Sequence, residues 1–416
     1  MLPRAELKAM PLHRRDVLLA GSGLALAGGR ARAQGGALRL GVLTDMSGPY
    51  RDLTGPGSFA GARQAAEEFS AATGMAVEVI VGDHQNKPDV GANIARQWFD
   101  REGVEAIIDL PNSAVALAVS GIAREKNKVV LGSGVGSTVF TGAQCSPNSI
   151  QFTYDTYMLA KGTGDALVKQ GADSWFFITA DYAFGHALQA DISRFVEAAG
   201  GKVLGAARYP FPATTDFSSF LLQAQSSRAK VIGLANAGAD LINCIKQARE
   251  FGLLRSGVKL ACLLMTVVDS IALGLPEAQG LLMTESFYWD LNDRTRAFAE
   301  RVKGKRQGAV VHASCAGCYG VTLHYLKAVK DLGIERARAS GLEVVNRMKA
   351  MPTDDDAFGP GRIREDGRKL TPGYLFQVKS PAESRGPFDV HKLVATTPAE
   401  EAARPLAEGG CPFVRT

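Results

Sequence analysis

The chain has 416 residues, 46% of them hydrophobic and 21% charged, with a formal net charge of +5. Arg4, Lys8, Arg14, Arg15, Arg30 and Arg32 all fall before position 34, so the remainder is close to neutral. That gives no support for the dense basic face that nucleic acid needs, and no long basic tail for an anionic membrane surface.

The first element in chain order is an address. Residues 13–19 read HRRDVLL, close to the twin-arginine export pattern, and an apolar run over 17–27 follows. Ala31 and Ala33 supply the small side chains that a signal peptidase accepts. Residues 1–33 are therefore expected to be a signal peptide, cleaved after Ala33. The run falls short of the roughly 20 apolar residues that cross a bilayer, and no later stretch is long and charge-free enough. The mature protein is expected in the periplasm, not spanning a membrane. At about 380 residues it is long enough for two domains of ordinary size.

The mature chain then alternates short apolar runs with amphipathic stretches. Strands are expected over 38–43, 77–81, 106–110 and 128–132. Helices are expected over 57–72, from a cap at Asp89 through Trp98, and over 113–124. Such alternation indicates βαβ units and a parallel sheet. Residues 145–157 (CSPNSIQFTYDTY) break the pattern. It restarts with helices over 157–169, 184–199, 217–226 and 239–251, and strands over 174–179, 202–209, 229–234 and 259–264. A strand over 280–286 and helices over 293–303, 314–332 and 341–349 come next, and returning helices of this kind can rejoin the first unit. Short strands over 374–378 and 391–394 lie in a Pro- and Gly-punctuated tail. The fold class is α/β, as two units in series.

The strand ends are small, polar and Gly-rich. Ser47 and Tyr50 follow the first strand, Asn112 and Ser113 open the helix after the third, and GSGVGST at 132–138 follows the fourth. In the second unit Tyr182, Asn236 and Thr266 hold the equivalent places. Open parallel sheets bind ligands outside the carboxyl ends of their strands. A helix start at Asn112 and Ser113 would suit a carboxylate, although Asn or Ser there also serves as an ordinary N-cap.

Other chemistries fit poorly. The glycines at 132–136 lack dinucleotide-loop spacing, and no P-loop is present, so no cofactor is expected. There is no G-x-S-x-G elbow. His84, His186, His312, His324 and His391 make no metal-ligand pair with one another. Cys315 and Cys318 form a C-x-x-C, but it opens a late helix, where packing or a structural disulfide is the simpler reading. No metal site and no enzymatic activity are expected.

In order, several segments resemble the periplasmic solute-binding proteins of ABC importers, in the group that binds branched-chain amino acids and related ligands. They are GVLTDMSGPYRDLTGPGS at 41–58, GDHQNKPDVGANIARQWFDREGVEAIIDLPNSAVALAV at 82–119, DYAFG at 181–185 and DFSSFLLQAQSSRAKVIGLANAG at 216–238. The resemblance runs from about residue 37 to 350. It implies two Rossmann-like lobes, each a mainly parallel sheet flanked by helices, joined by a three-segment hinge. Lobe 1 would be 37–153 plus 288–350, lobe 2 would be 154–287 plus 351–395, and 396–416 a C-terminal tail. The resemblance also implies a monomer whose closed form docks on membrane permease subunits. First-lobe ligand contacts would fall on Ser47, Tyr50, Asn112, Ser113, Gly134 and Val135. Crossover and second-lobe contacts would fall on Tyr154, Tyr182, Asn236 and Thr266.

Amino-acid binders of the group hold the ligand's ammonium with an acidic residue. Asp181, Asp240 and Asp269 are candidates, none clearly at the family's position. Relatives also bind aromatic acids, other carboxylates, amides and ureas. A periplasmic sensor on the same fold is the alternative reading, and an exported enzyme a more distant one. Six cysteines in an exported chain suggest disulfides, with pairing left open by sequence. A Cys145–Cys411 bond is expected, because Cys145 lies in the crossover segment and the tail should return to the hinge region.

Overall fold

Alternation becomes two parallel sheets in the computed structural model, which describes residues 36–414. The expected leader and its cleavage site after Ala33 lie outside the described residues. The first sheet comprises β1 (Leu38–Thr44), β2 (Val77–Asp83), β3 (Val104–Asp109), β4 (Val129–Gly132) and β5 (Ser149–Gln151), ordered β2-β1-β3-β4-β5. The second comprises β6 (Ser174–Ala180), β7 (Lys202–Tyr209), β8 (Val231–Ala235) and β9 (Lys259–Cys262), ordered β7-β6-β8-β9. Every pairing in both is parallel. Central strands such as β8 are buried along their whole length, because helices cover both faces.

β10 (Leu282–Glu285) starts a third, antiparallel sheet. A small ribbon follows, made of β11 (Arg362–Ile363) and β12 (Lys369–Leu370). β13 (Gly373–Val378) and β14 (His391–Thr397) then complete the antiparallel sheet in the order β10-β13-β14. Met283, Phe376, Val378 and Val390 pack into the same core as Ile178 and Leu234, so this sheet belongs with the second lobe.

The helix Ala313–Leu332 returns to the first lobe and lies against the helix Gly55–Thr73. The approach is close enough that a Cβ on Gly61 would sit 2.0 Å from the Cys315 carbonyl oxygen. Only glycine fits there.

The chain passes between the lobes three times. Phe152 packs in a first-lobe core and Tyr154 in a second-lobe core. Met283 packs in the second lobe and Phe287 in the first. Ile363 packs in the first and Leu375 in the second. The third passage corrects the expected division at 351. Ala357 and Ile363 stay with the first lobe, held by a Gln151–Arg368 bridge and the Gln151 amide donating to Gly367 O at 2.9 Å. Tyr288, expected in lobe 1, packs with the second-lobe core. Two-residue strands in a polar run carry no periodicity that a sequence reading could catch.

Two further expectations change. Lys87, not Asp89, is the N-cap of the helix Pro88–Arg101, and Asp89 sits in its first turn. Proline has the fixed φ that suits the first helical position, which sets the cap two residues earlier. The expected helix over 157–169 is three pieces, Thr156–Leu159, a π-type turn at Ala160–Gly164, and Asp165–Lys169. In the tail, Cys411 is joined to Cys145 by a disulfide with a Cα–Cα distance of 5.6 Å. Arg404 ties the tail further, donating to Thr138 O at 3.0 Å.

Candidate functional site

The carboxyl ends of both parallel sheets face one cleft. On the first lobe its rim is the loop after β1, organised by buried Asp45. This carboxylate accepts from the Gly48 amide at 2.6 Å, the Tyr50 amide at 2.8 Å and Asn86 Nδ2 at 2.5 Å. The loop is therefore rigid, and it projects the Tyr50 ring across the cleft. Ser47 is exposed and turned away, its hydroxyl donating to Asp83 at 2.6 Å.

The helix Ser113–Glu125 starts beside this loop. Asn112 caps it, with Oδ1 accepting from the Ala114 and Val115 amides at 3.0 and 3.2 Å. Ser113 is fully buried, and its hydroxyl accepts from the Ser137 amide at 3.2 Å. The helix start and the 134–137 backbone are thus fastened to each other. At the end of β3, Asp109 and Leu110 hold φ values of 85° and 61°, a costly left-handed backbone at two buried non-glycine residues. Ser58, Thr44 and Cys318 lie near the Asp109 carboxyl, yet neither of its oxygens completes a hydrogen bond. Burial pushes this carboxyl up to about 6.

The second lobe answers across the gap. Tyr182, the N-cap residue of the helix Ala183–Ala198, meets Tyr50 hydroxyl to hydroxyl at 2.6 Å. Phe211 stacks on both rings, with centroids 5.2 Å from Tyr50 and 4.5 Å from Tyr182. The Ala239 amide donates to Pro49 O at 3.0 Å, and Thr138 Oγ1 donates to Asp191 at 3.1 Å. Gly238 has φ 59°, and a Cβ there would lie 2.5 Å from Pro49 O. The lobes are closed on each other.

Near the hinge is a narrow cavity with room for about one water. Leu53, Tyr154, Leu159, Leu264, Thr266, Thr284, Glu285, Ser286 and the helix start Ala313–Ser314 line it. The Tyr154 hydroxyl donates to Gly134 O at 3.0 Å. Thr266 is held in a capping box with Asp269, whose carboxylate accepts from the Thr266 amide and hydroxyl at 2.8 and 2.9 Å. Glu285 is 3% exposed; the Val267 amide lies near its carboxyl, yet neither oxygen completes a hydrogen bond, nor does the Ser286 hydroxyl. His391 Nδ1 stands 3.5 Å from Glu285, and its Nε2 is 2.7 Å from the Ser270 hydroxyl. Burial, with Asp269 nearby, holds the Glu285 carboxyl well above the usual range, and burial lowers His391 to about 3. Burial thus disfavours the charged form of both partners. Ser270 is fully buried in a helix and offers no accessible nucleophile.

Of the expected contacts, Tyr50 and Tyr182 touch directly, and Tyr154 and Thr266 line one cavity. Val135 packs in the first-lobe core and gives its carbonyl to Gln151. Asn236 is fully buried, with Nδ2 against the Cys244 sulfur at 3.4 Å. The acidic candidates are engaged elsewhere: Asp181 with His186, Asp240 with the Tyr209 hydroxyl, Asp269 in its capping box. Tyr288 stacks on His391 rather than walling the cavity. Cys315 and Cys318 are buried free thiols, and burial pushes Cys315 up to about 12, far from a reactive thiolate. Among the described residues no cluster of ligating side chains could hold a metal. A wider groove lined by Phe69, Leu323 and Met351 lies on the outside of the first lobe, away from the strand ends.

Sequence reasoning missed Glu285, Ser286, Ser314 and Phe211. The strand-end rule that picked Asn236 and Thr266 also points to Glu285 and Ser286 at the end of β10. Phe211 lies in a loop and carries no local signal.

Residues 37–386 match the model of a family described as periplasmic binding proteins. No curated protein matches the chain. A periplasmic binding protein from Burkholderia mallei is 43% identical over 91% of this chain and 99% of its own, with a TM-score of 0.87. A branched-chain amino acid ABC transporter periplasmic ligand-binding protein from Burkholderia xenovorans LB400 is 37% identical over 90% of this chain and 99% of its own, with a TM-score of 0.77. An ABC-transporter solute-binding protein from R. palustris, solved with benzoate, shares the fold at 20% identity, covering 88% of this chain and 97% of its own with a TM-score of 0.74. The chain therefore belongs to the periplasmic binding proteins of ABC transporters, with the two-lobed type I fold of the branched-chain amino acid-binding group.

Proposed function

We propose that this protein captures a small carboxylate-bearing solute, a hydrophobic amino acid or a small aromatic or organic acid, between its lobes and delivers it to a membrane permease. The observation that carries the reading is the closed aromatic seal. Tyr50, Phe211 and Tyr182 meet where the two lobes touch, and toward the hinge a cavity is lined by hydroxyls and the Glu285 carboxyl. Parting the lobes would expose these groups to a solute, and closing them would exclude water and strengthen each polar contact. The carboxylate would lie toward the first-lobe wall, where the Ser113 hydroxyl and the 134–137 backbone converge. Tyr154 and Thr266 would contact the ligand from the hinge side. Amino acids and benzoates share a carboxylate, and both occur in the names of the structural neighbours.

A thermal-shift screen of amino acids, aromatic acids, short carboxylates and amides tests this. A true ligand at 100 times its dissociation constant should add about 2.7 kcal/mol of stability. Calorimetry on Ser113→Ala and Tyr182→Ala follows; each should weaken binding by about 1–3 kcal/mol. Wild-type affinity in both would remove the cleft assignment, and a neutral amide as best ligand would remove the carboxylate. Export follows the same reading. Protein recovered from its native periplasm should begin at Gln34, and Lys in place of Arg14 and Arg15 should block export by the twin-arginine route.

A further inference from the structure

The C-terminal tail ends on a different lobe from the strand it leaves. β14 belongs to the second-lobe sheet, and Ala402, just beyond it, packs in the second-lobe core with Met158 and Leu375. From Arg404 onward the tail lies on the first lobe. The Arg404 carbonyl accepts from Arg364 Nη1 at 2.7 Å, and Cys411 is bonded to Cys145. A fourth link thus joins the lobes, and the disulfide fastens its far end.

The tail bears on one turn of the first lobe. Arg404 Nη2 donates to Thr138 O at 3.0 Å, and a Cβ on Gly142 would sit 2.6 Å from Arg404 Nη2 and 2.7 Å from Gly409 O. The same turn carries a polar contact to the second lobe. The Thr138 hydroxyl donates to Asp191 Oδ2 at 3.1 Å. Thr156 Oγ1 donates to that oxygen at 2.6 Å and stands 3.2 Å from the Thr138 hydroxyl. Asp191 comes from the helix Ala183–Ala198 and is 5% exposed, so this latch is buried. Placing a free turn on Asp191 would cost conformational entropy at each closure, and a turn that the tail already holds costs less.

We propose that the tail from Arg404 to Cys411 is a strap that holds the Thr138 turn in place for Asp191 and so biases the lobes toward the closed form before any solute arrives. A solute then meets a smaller cost of closure and leaves more slowly, whatever its chemistry. Arg404 is a positioning residue in this device. It does not line the hinge cavity, and it acts through Thr138. The inference needs only two lobes that open and close, so the carboxylate reading can fail without touching it.

The test reads the ligand-free protein first. Spin labels at Gln97→Cys and Gln225→Cys give the distribution of distances between the lobes. Both positions are exposed, one on the first-lobe helix Pro88–Arg101 and one on the second-lobe helix Ser218–Ser226. The native free thiols, Cys244, Cys262, Cys315 and Cys318, are buried and stay unlabelled. Cys145→Ser with Cys411→Ser frees the end of the strap, and Arg404→Gln keeps the disulfide but loses the bond to Thr138. The ratio of open to closed forms should rise about tenfold in the first and about threefold in the second. Thr138→Val removes the latch hydroxyl and should act in the same direction, and Arg404→Gln should add little to it. Leucine and benzoate serve as solute probes; whichever binds wild type should dissociate from the variants faster by about the same factors. If the disulfide-free protein does not fold, Arg404→Gln decides alone. Lowered unfolding stability with an unchanged distance distribution would overturn the strap and leave the tail a structural anchor. A shift toward the closed form would overturn it too, as would full additivity of Arg404→Gln and Thr138→Val.

Discussion

The two walls of the cleft treat their carboxyl groups in opposite ways. On the first-lobe rim, Asp45 accepts from two loop amides and the Asn86 side chain, and the loop it organises is rigid. At the hinge, Glu285 is as deeply buried and accepts nothing. A carboxylate saturated by its own protein holds structure together and has little left for a ligand. A carboxyl left without donors weakens the ligand-free protein and keeps its capacity for a solute. Hydrogen-bond completeness therefore marks a scaffold carboxylate such as Asp45, whereas an incomplete one, Glu285 at the hinge or Asp109 on the first lobe, is a cost to the ligand-free fold. Asn112 illustrates the same distinction, since its side chain is consumed as a helix cap at the place where sequence suggested an anion site.

Removing the two kinds of carboxyl should change stability in opposite directions. Asp45→Ala strands several buried donors and should destabilise the ligand-free protein by about 2–4 kcal/mol in denaturant unfolding. A change under half of that would mean the loop does not depend on Asp45.

Asp109 is the orphaned carboxyl on the first lobe, and its removal should help. Its folded value of about 6 lies above the ordinary 3.8, so the folded state holds the proton more tightly than the unfolded chain. The cost is absent below about pH 4, grows as pH rises toward 6, and is complete above that. Asp109→Asn should raise unfolding free energy at pH 7 by about 1–3 kcal/mol and change little at pH 4. Asparagine also tolerates the positive φ at this position. A stabilisation equal at both pH values would show that the carboxyl charge is not the cause.

The remaining contrasts concern closure. A Cβ on Gly238 meets Pro49 O across the cleft, so Gly238→Ala should favour the open form and weaken binding of whichever screened compound binds best by about 1–2 kcal/mol. Small-angle scattering on the liganded variant should show a larger radius of gyration than wild type. Tyr182→Phe keeps the ring stack on Phe211 and removes only the hydroxyl contact to Tyr50. Its effect on binding should be the smallest, about 0.5–1.5 kcal/mol. If Tyr182→Phe costs more than Gly238→Ala, the hydroxyl meets the ligand itself.

How much of this was legible in the sequence depends on range. Strands β1 to β10 other than β5, and the helices between them, follow from local periodicity, because a side chain's facing is set by its own backbone within a few residues. Family membership follows from the order of motifs between residues 37 and 350. β5, β11 and β12 escaped because two or three residues carry no period. Pairings across the molecule escaped for a different reason. Tyr50 and Tyr182 are 132 positions apart, and Ser270 and His391 are 121 apart. Sequence alone determined the export signal pattern, the alternating α/β elements and the polar character of the strand ends. Tertiary structure alone decided that the Asn112 side-chain oxygen is consumed as a helix cap, that the Ser113 hydroxyl accepts from the Ser137 amide, that the third passage comes after Leu370, and that neither Glu285 oxygen completes a hydrogen bond. Whether a polar group is satisfied depends on every neighbour brought around it, and those neighbours come from segments that only the folded chain places together.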